Sequence, residues 1–96
     1  MSDDLIINNS ILAIRYRQKS INLTEKIHFK KVMAKSYQNL GIAYFKISEY
    51  PKALDNCRKA LKVSEEMGAK SEIAKAINNI GNIYYYMSFH YLMVWI

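Results

Sequence analysis

The chain contains little of what breaks or cross-links a fold. Its 96 residues include one proline, three glycines and one cysteine. Few glycines and prolines leave few turns, which favours long helices over a β fold with many turns. A single cysteine excludes an internal disulfide and gives no cysteine cluster for a metal, so we expect a reducing, cytoplasmic location.

Long apolar runs are also missing. Residues 1–4 are acidic rather than basic, and the apolar stretch that follows them is too short for a signal peptide. The apolar residues near the C-terminus, 83–96, fall short of the ~18–20 residues that a membrane-spanning helix needs. We therefore expect no association with a membrane.

Motifs for catalysis, metal binding or cofactor binding do not occur. His28 and His90 have no carboxylate or cysteine partner at ligand spacing. Cys57 has no base beside it to form a reactive thiolate, so a small core residue is the better interpretation. The pair Glu65-Glu66 is better explained as solvated carboxylates at a helix end than as an acid/base pair. The sequence predicts no enzyme activity, no metal and no cofactor.

The sequence does contain a helical hairpin, which we predict for residues 31–68. Apolar residues recur at helical spacing on one face of its first helix, at Ala34, Tyr37, Leu40, Tyr44 and Ile47, together with Gly41. Pro51 suits the first turn of a second helix, which would run from Pro51 to Met67. That helix is predicted to bury Ala53, Leu54, Cys57, Ala60 and Leu61. It would expose Asp55, Arg58, Lys59, Lys62 and Glu66.

The hairpin is repeated with a period of 40 residues (81 − 41 = 40), measured from Gly41 to Gly81. The shift places Leu40-Gly41-x-x-Tyr44 over Ile80-Gly81-x-x-Tyr84, and Asn39 over Asn79. In the other direction, Ala13 lies over Ala53 and Lys19 over Lys59. Such periods are typical of helical solenoids.

The repeat divides the single region 1–96 into parts. Residues 1–9 would be a remnant of a first helix or a disordered start, and residues 10–28 an edge helix. A connection at 28–30 leads into the complete repeat, 31–68. Residues 71–87 would form the first helix of the next repeat, with Gly68 as a helix cap before it. Its inward residues are predicted to be Ala74, Ile77, Ile80, Gly81 and Tyr84.

The motif Tyr37-x-x-Leu40-Gly41-x-x-Tyr44, followed by Ala53 and Ala60, resembles the tetratricopeptide repeat. Cys57 replaces the usual second-helix aromatic, and Glu65 stands near the usual closing proline. The resemblance is to a longer-period variant in a truncated array. It implies an all-α fold of antiparallel helix hairpins stacked as an α-solenoid, roughly one full repeat with partial repeats at both ends. It also implies a scaffold that binds another protein or a peptide.

In tetratricopeptide arrays the first helix of each pair lines the concave face. By that resemblance, the peptide-binding residues would be Lys35, Gln38, Ile42, Phe45 and Lys46, with their shifted counterparts Lys75, Asn78, Asn82, Tyr85 and Tyr86. Amides, cations and aromatics together suit an extended peptide or a helix. The alternative is that these residues are merely exposed, since single exposed apolar residues are common.

Two other functions stay open. The chain would also fit a sensory or regulatory input segment of a larger bacterial regulator or kinase. A basic RNA-binding helical repeat is the second alternative, because the net charge is +6. No regular base-reading pair recurs, so nucleic acid is not the favoured partner.

The repeat pattern ends after Tyr86, and residues 88–96 form a divergent tail that resembles a truncated or frame-altered end. Several large apolar residues near it would lack cover, namely Tyr84, Met87, Leu92, Val94 and Trp95. Because exposed apolar patches promote association, we expect a marginal monomer or self-association through this apolar tail.

Overall fold

The computed structural model describes the backbone of residues 2–95 and the side chains of residues 8–94. Three α-helices make up this part of the chain, and no strand occurs in it. They are α1 (Ser2–Lys46), α2 (Tyr50–Met67) and α3 (Lys70–Trp95). The predicted all-α helical-repeat fold is confirmed. The described residues extend over 86 × 18 × 13 Å, because α1 continues far beyond the two helices that pack beside it.

A tight turn joins α1 to α2 at the predicted position. Ser48 adopts a left-handed conformation with φ of 61°, and the Glu49 amide donates to the Tyr44 carbonyl at 2.9 Å. Pro51 then lies in the first turn of α2, where its missing N–H is not needed. At the other end of α2, Gly68 forms the predicted left-handed cap with φ of 63°. These two breaks separate the three helices.

The core lies where α2 meets its two neighbours. Ala53, Cys57 and Ala60 are fully buried. Leu54 is buried and Leu61 half-buried, so the predicted inner face of α2 is confirmed. The predicted outer residues are all exposed, namely Asp55, Arg58, Lys59, Lys62 and Glu66. Small residues in this face allow α1 and α3 to approach α2 closely.

The predicted break at residues 28–30 is wrong. Residues 10–28 are not a separate edge helix but part of the continuous helix α1, which also includes the described residues before them. The 40-residue shift explains the difference, because it places His28 where Gly68 caps α2. Histidine adopts the left-handed cap conformation at a cost that glycine does not incur. Without a glycine or proline there, the helix continues.

The predicted end of the third helix near Met87 is also wrong, since α3 continues as helix to Trp95. The same shift places Tyr91 where Pro51 lies in the first turn of α2, so the proline that would break a continuous helix is absent. The divergent tail, 88–95, is therefore an extension of α3. Ile96 and the side chain of Trp95 lie outside the described residues. No described helix has both the length and the apolarity to cross a bilayer.

Two inward faces differ from their predictions. On α1, Leu40 is 45% exposed and Ile47 is 67% exposed. On α3, four of the five predicted inward residues are exposed, namely Ala74, Ile77, Gly81 and Tyr84. Ile80 is half-buried, while Ala76 and Ile83 are the buried residues. Helix α3 thus packs on α2 by a rotated face and leaves its glycine side open.

Candidate functional site

A groove lies between α1 and α3 on the side away from the outer face of α2. It has a volume of about 400 Å³. The lining residues, from here on the groove, are Lys35, Gln38, Asn39, Ile42, Glu72, Lys75, Asn78 and Asn79. Residues spaced three and four apart share one side of a helix, so each helix contributes one edge of the groove. Both helices rest on α2, which fixes the distance between these edges.

Two amide side chains cross-link the groove at its base. The Asn79 Nδ2 group donates to Gln38 Oε1 at 2.8 Å, and Gln38 Nε2 donates to the Glu72 carbonyl at 3.4 Å. Gln38 is only 7% exposed. Because a buried amide must have partners, this pair holds α1 against α3. Gln38 therefore stabilises the fold, and its amide already uses its hydrogen bonds within the chain rather than for a ligand.

The rim of the groove carries an excess of positive charge. Lys75 Nζ lies 3.5 Å from Glu72 Oε1, so these two charges largely offset each other. Lys35 forms no ion pair within the part of the chain that the structure describes. A carboxylate on a bound molecule would find in Lys35 a cation without a competing acid.

A small recess adjoins the groove where it meets α2. Its volume is about 50 Å³. The residues that line it are Gly41, Ile42, Phe45, Cys57, Asn79, Asn82 and Ile83. Gly41 is buried against Cys57, and burial raises the pKa of the Cys57 thiol, which therefore stays protonated. A recess of this size and lining accepts a small apolar group.

Aromatic side chains close one end of the site. The rings of Phe45 and Tyr86 meet edge-on with centroids 5.3 Å apart, and Phe45 also contacts Tyr50 at 6.0 Å. Tyr85 stacks edge-on against Tyr86 at 5.3 Å, and His90 lies 6.0 Å from Tyr50. Edge-on contacts are favourable for aromatic pairs. This cluster connects all three helices and fixes the position of Phe45 beside the recess.

The structure brings most of the predicted binding residues together. Those that line the groove are Lys35, Gln38, Ile42, Lys75 and Asn78. Phe45 and Asn82 line the recess, and Tyr86 packs on Phe45. Tyr85 lines a different hollow on α3, and Lys46 lines none of these surfaces.

Three residues that line the groove were not among the predicted binding residues: Asn39, Glu72 and Asn79. The match of Asn39 with Asn79 across the 40-residue period was the available signal for two of them. The predicted residue Gln38 lies in the groove, but it binds Asn79 rather than facing solvent. Both asparagines therefore belong to the site, one exposed and the other half-buried in the cross-link.

Within the described residues, no group of three histidine, cysteine or acidic side chains is placed to hold a metal ion. His90 packs against Tyr50 and Tyr91, and His28 lies exposed on α1. The site thus consists of amides, the Glu72–Lys75 ion pair, the cation of Lys35 and apolar side chains, a combination suited to recognition of a polypeptide.

A helical hairpin with a third helix stacked beside it defines the class, an all-α helical repeat. The family model of the tetratricopeptide repeat matches residues 34–67. That span contains the second part of α1, the turn and all of α2. The chain therefore contains a tetratricopeptide repeat, as the motif around Gly41 predicts. Neither the curated proteins nor the solved structures yielded a match to the chain.

Proposed function

We propose that the chain is a protein-interaction scaffold that binds an extended peptide segment of a partner in the groove between α1 and α3. Tetratricopeptide repeats generally mediate interactions between proteins, which supports the broad class of function. The observation that carries the specific proposal is the pair of exposed asparagines, Asn39 and Asn78, on opposite edges of one groove.

An extended peptide needs both donors and acceptors along its length, because its backbone groups are not paired with each other. An asparagine amide offers two donors and one acceptor oxygen, so it can bind a peptide unit on both sides. Asn39 and Asn78 are exposed, while the Gln38–Asn79 pair holds the two helices at a fixed separation. A preformed groove lowers the entropy that binding costs.

The charges and the recess support a more specific proposal for the chemistry of the peptide. Lys35 favours an acidic residue, since no described acid competes for it. The recess beside Ile42 and Phe45 favours a small apolar residue such as alanine or valine, because its volume is about 50 Å³. We therefore propose a ligand with one acidic and one small apolar residue close together in an extended segment.

A displayed library of random twelve-residue peptides, selected on the purified chain, tests this function. Selected peptides would be synthesised with a fluorophore, and their dissociation constants measured by anisotropy. The expected result is enrichment of acidic and small apolar residues. In Lys35→Glu, loss of one attraction and gain of a like charge should weaken binding at least ~10-fold, since ~1.4 kcal/mol corresponds to a factor of ten.

Lys62→Glu is the matched control. Lys62 is exposed on the outer face of α2, so the same charge change there should leave peptide affinity within about twofold. Asn78→Ala should weaken binding without unfolding the chain, because this side chain is exposed. If no peptide is enriched, or if selected peptides bind Lys35→Glu and Lys62→Glu equally well, the groove is not the binding site.

A further inference from the structure

One side of α3 has no helix packed on it in the described structure, although Tyr84 on this side contacts the Arg58 side chain of α2. Its residues, from here on the open face, are Ala74, Ile77, Gly81, Tyr84, Ser88 and Leu92, and all of them are exposed. A β-carbon built at Gly81 would meet no atom within 4 Å. A shallow hollow of about 410 Å³ lies beside Gly81. A helix glycine with nothing packed on it is unusual in a helical repeat, where such glycines admit a neighbouring helix.

The equivalent position in the first repeat shows what covers this face. A β-carbon at Gly41 would overlap Cys57 Sγ and lie 3.3 Å from the Ala53 carbonyl oxygen. Helix α2 therefore packs directly on Gly41. The 40-residue shift puts Gly81 in the place of Gly41, so the open face has the shape that accepts a helix like α2. Helix α3 continues straight to Trp95, and no described segment folds back onto it.

A helix like α2 is present elsewhere in the same chain. Residues 10–30 of α1, from here on the arm, lie in the 40-residue register of α2. The buried residues Ala53, Leu54, Ala60, Val63 and Ser64 correspond there to Ala13, Ile14, Ser20, Leu23 and Thr24. Three of these pairs are apolar in both helices, and Ser64 and Thr24 both carry a hydroxyl group. The two other buried residues of α2, Asn56 and Cys57, correspond to Tyr16 and Arg17, and Ser20 replaces Ala60. The arm therefore keeps the inner face of α2 on both sides of a centre that has larger side chains.

Backbone-directed hydrogen bonds repeat at the same offset. Ser64 Oγ donates to the Ala60 carbonyl at 2.8 Å, and Thr24 Oγ1 donates to the Ser20 carbonyl at 2.8 Å. Ser64 and Ala60 are completely buried in α2, whereas Ile14 and Leu23 on the arm are 66% and 59% exposed. The arm has an inner face with no helix against it.

We propose that the arm of one copy docks antiparallel on the open face of a second copy, with Arg17 opposite Gly81. The contact reproduces between two chains the hairpin that α1 and α2 form within one. In the proposed dimer, two chains exchange arms across a two-fold axis, which would cover the arm and the open face of each chain. A closed pair buries four apolar surfaces that the single chain leaves in water.

Most of the open face carries no charge that opposes this pairing. Residues 76–94 of α3 include no Asp, Glu, Lys or Arg, so arm residues up to about 22 meet no like charge on α3. With Arg17 opposite Gly81, arm residues 23–30 lie opposite residues 68–75, where Glu72 stands between Lys70 and Lys75. Arg17 stands where α2 has Cys57, and its longer stem crosses Gly81 to reach the tyrosine rings beyond. Tyr84 already binds one guanidinium, since Arg58 lies 5.9 Å from its ring centroid. Exposed tyrosine rings attract cations, but a second cation placed beside Arg58 at Tyr84 would meet a like charge.

Directed disulfide formation tests the register. In a Cys57→Ser background, one chain would carry Arg17→Cys and another Gly81→Cys, and the two would be mixed under oxidising conditions. The expected product is a cross-linked pair containing both chains, because a disulfide requires Cα atoms within ~7 Å. Lys19→Cys is the matched control for Arg17→Cys, since two residues rotate the side chain by ~200° around the helix. Equal cross-linking from position 19 would overturn the proposal.

Sedimentation of the uncross-linked chain gives a second test. We expect a concentration-dependent dimer for the natural sequence. Ile77→Lys places a charge in the open face and should raise the dissociation constant of the dimer at least tenfold. Ile47→Lys makes the same change at an exposed position outside both surfaces and should leave it unchanged. Helical circular dichroism confirms that each variant is folded.

A monomer at every concentration, or a dimer that Ile77→Lys leaves intact, would contradict the proposed interface. Neither surface includes a residue of the groove. Failure of this proposal therefore leaves peptide binding untouched, and loss of peptide binding in Lys35→Glu leaves the dimer untouched.

Discussion

The contact between Gly41 and α2 can be tested by a single methyl group. Gly41→Ala would push a β-carbon into Cys57 Sγ and to within 3.3 Å of a backbone oxygen. Overpacking of this kind costs ~1–3 kcal/mol. Alanine also gains ~1 kcal/mol of helix propensity over glycine. Gly81→Ala gains the same propensity and meets no atom within 4 Å. The free energies of unfolding of the two variants should therefore differ by about 2 kcal/mol, the midpoint of the overpacking cost.

Thermal unfolding followed by circular dichroism measures this difference. For a chain of this size, ~1 kcal/mol shifts the melting temperature by about 4–8 °C, so the two variants should melt roughly 8–16 °C apart. The chain concentration should be low enough that sedimentation shows a monomer, because Gly81 also lies in the proposed dimer contact. Both variants add one methyl group to one helical glycine, so each serves as the control for the other.

Cys57→Ala identifies the source of the cost. It removes the sulfur atom that the new methyl group strikes, so the double variant Gly41→Ala/Cys57→Ala should be more stable than the sum of the single changes predicts. Contacting residues typically show a coupling of ~0.5–3 kcal/mol in such a cycle. Equal melting temperatures for Gly41→Ala and Gly81→Ala, or strictly additive effects in the cycle, would refute the close approach of α2 to Gly41.

Four further outcomes follow from the fold and can be measured by denaturant titration. Gly68→Ala should cost about 1 kcal/mol because its left-handed φ strains an L-residue, whereas Ser48→Gly should gain about 0.5 kcal/mol by relieving such strain. Burial raises the pKa of Cys57 above 9.0, so the folded chain holds this proton more tightly than the unfolded chain. The stabilisation that this proton gives to the folded chain is complete below pH 9.0 and is lost as the pH rises further. The free energy of unfolding of the natural chain should therefore fall relative to that of Cys57→Ser in alkaline solution. Gln38→Ala should cost about 1–2 kcal/mol because it leaves the amide of Asn79 without its partner, and a smaller loss would show that the cross-link does not hold α1 to α3.

The sequence predicts the central hairpin well because both of its breaks carry their own chemistry. Pro51 lies in the first turn of α2 and Gly68 caps its end, and each acts through its own backbone conformation. The 40-residue period suggests equivalent breaks near His28 and Tyr91. Periodicity aligns positions but does not supply the residue that breaks a helix, so both predicted breaks are absent.

Burial was harder to predict than helix position. Apolar spacing identifies the stripe that contains Ile77 and Gly81, but it does not show whether a neighbouring helix is present to cover it. Residues of the candidate groove likewise depend on neighbouring helices for their burial. Lys35 and Asn78 can be assigned to the groove from the repeat, whereas the burial of Gln38 depends on Asn79, which reaches it from another helix.

The unbroken course of α1 has a mechanical consequence. From Ser10 to Gln38 the helix advances by 28 residues (38 − 10 = 28), which corresponds to about 42 Å at ~1.5 Å per residue. A continuous helix without an internal hinge keeps the distance between its two ends nearly constant. Helix α1 therefore keeps a group near Ser10 at a fixed distance from a ligand in the groove.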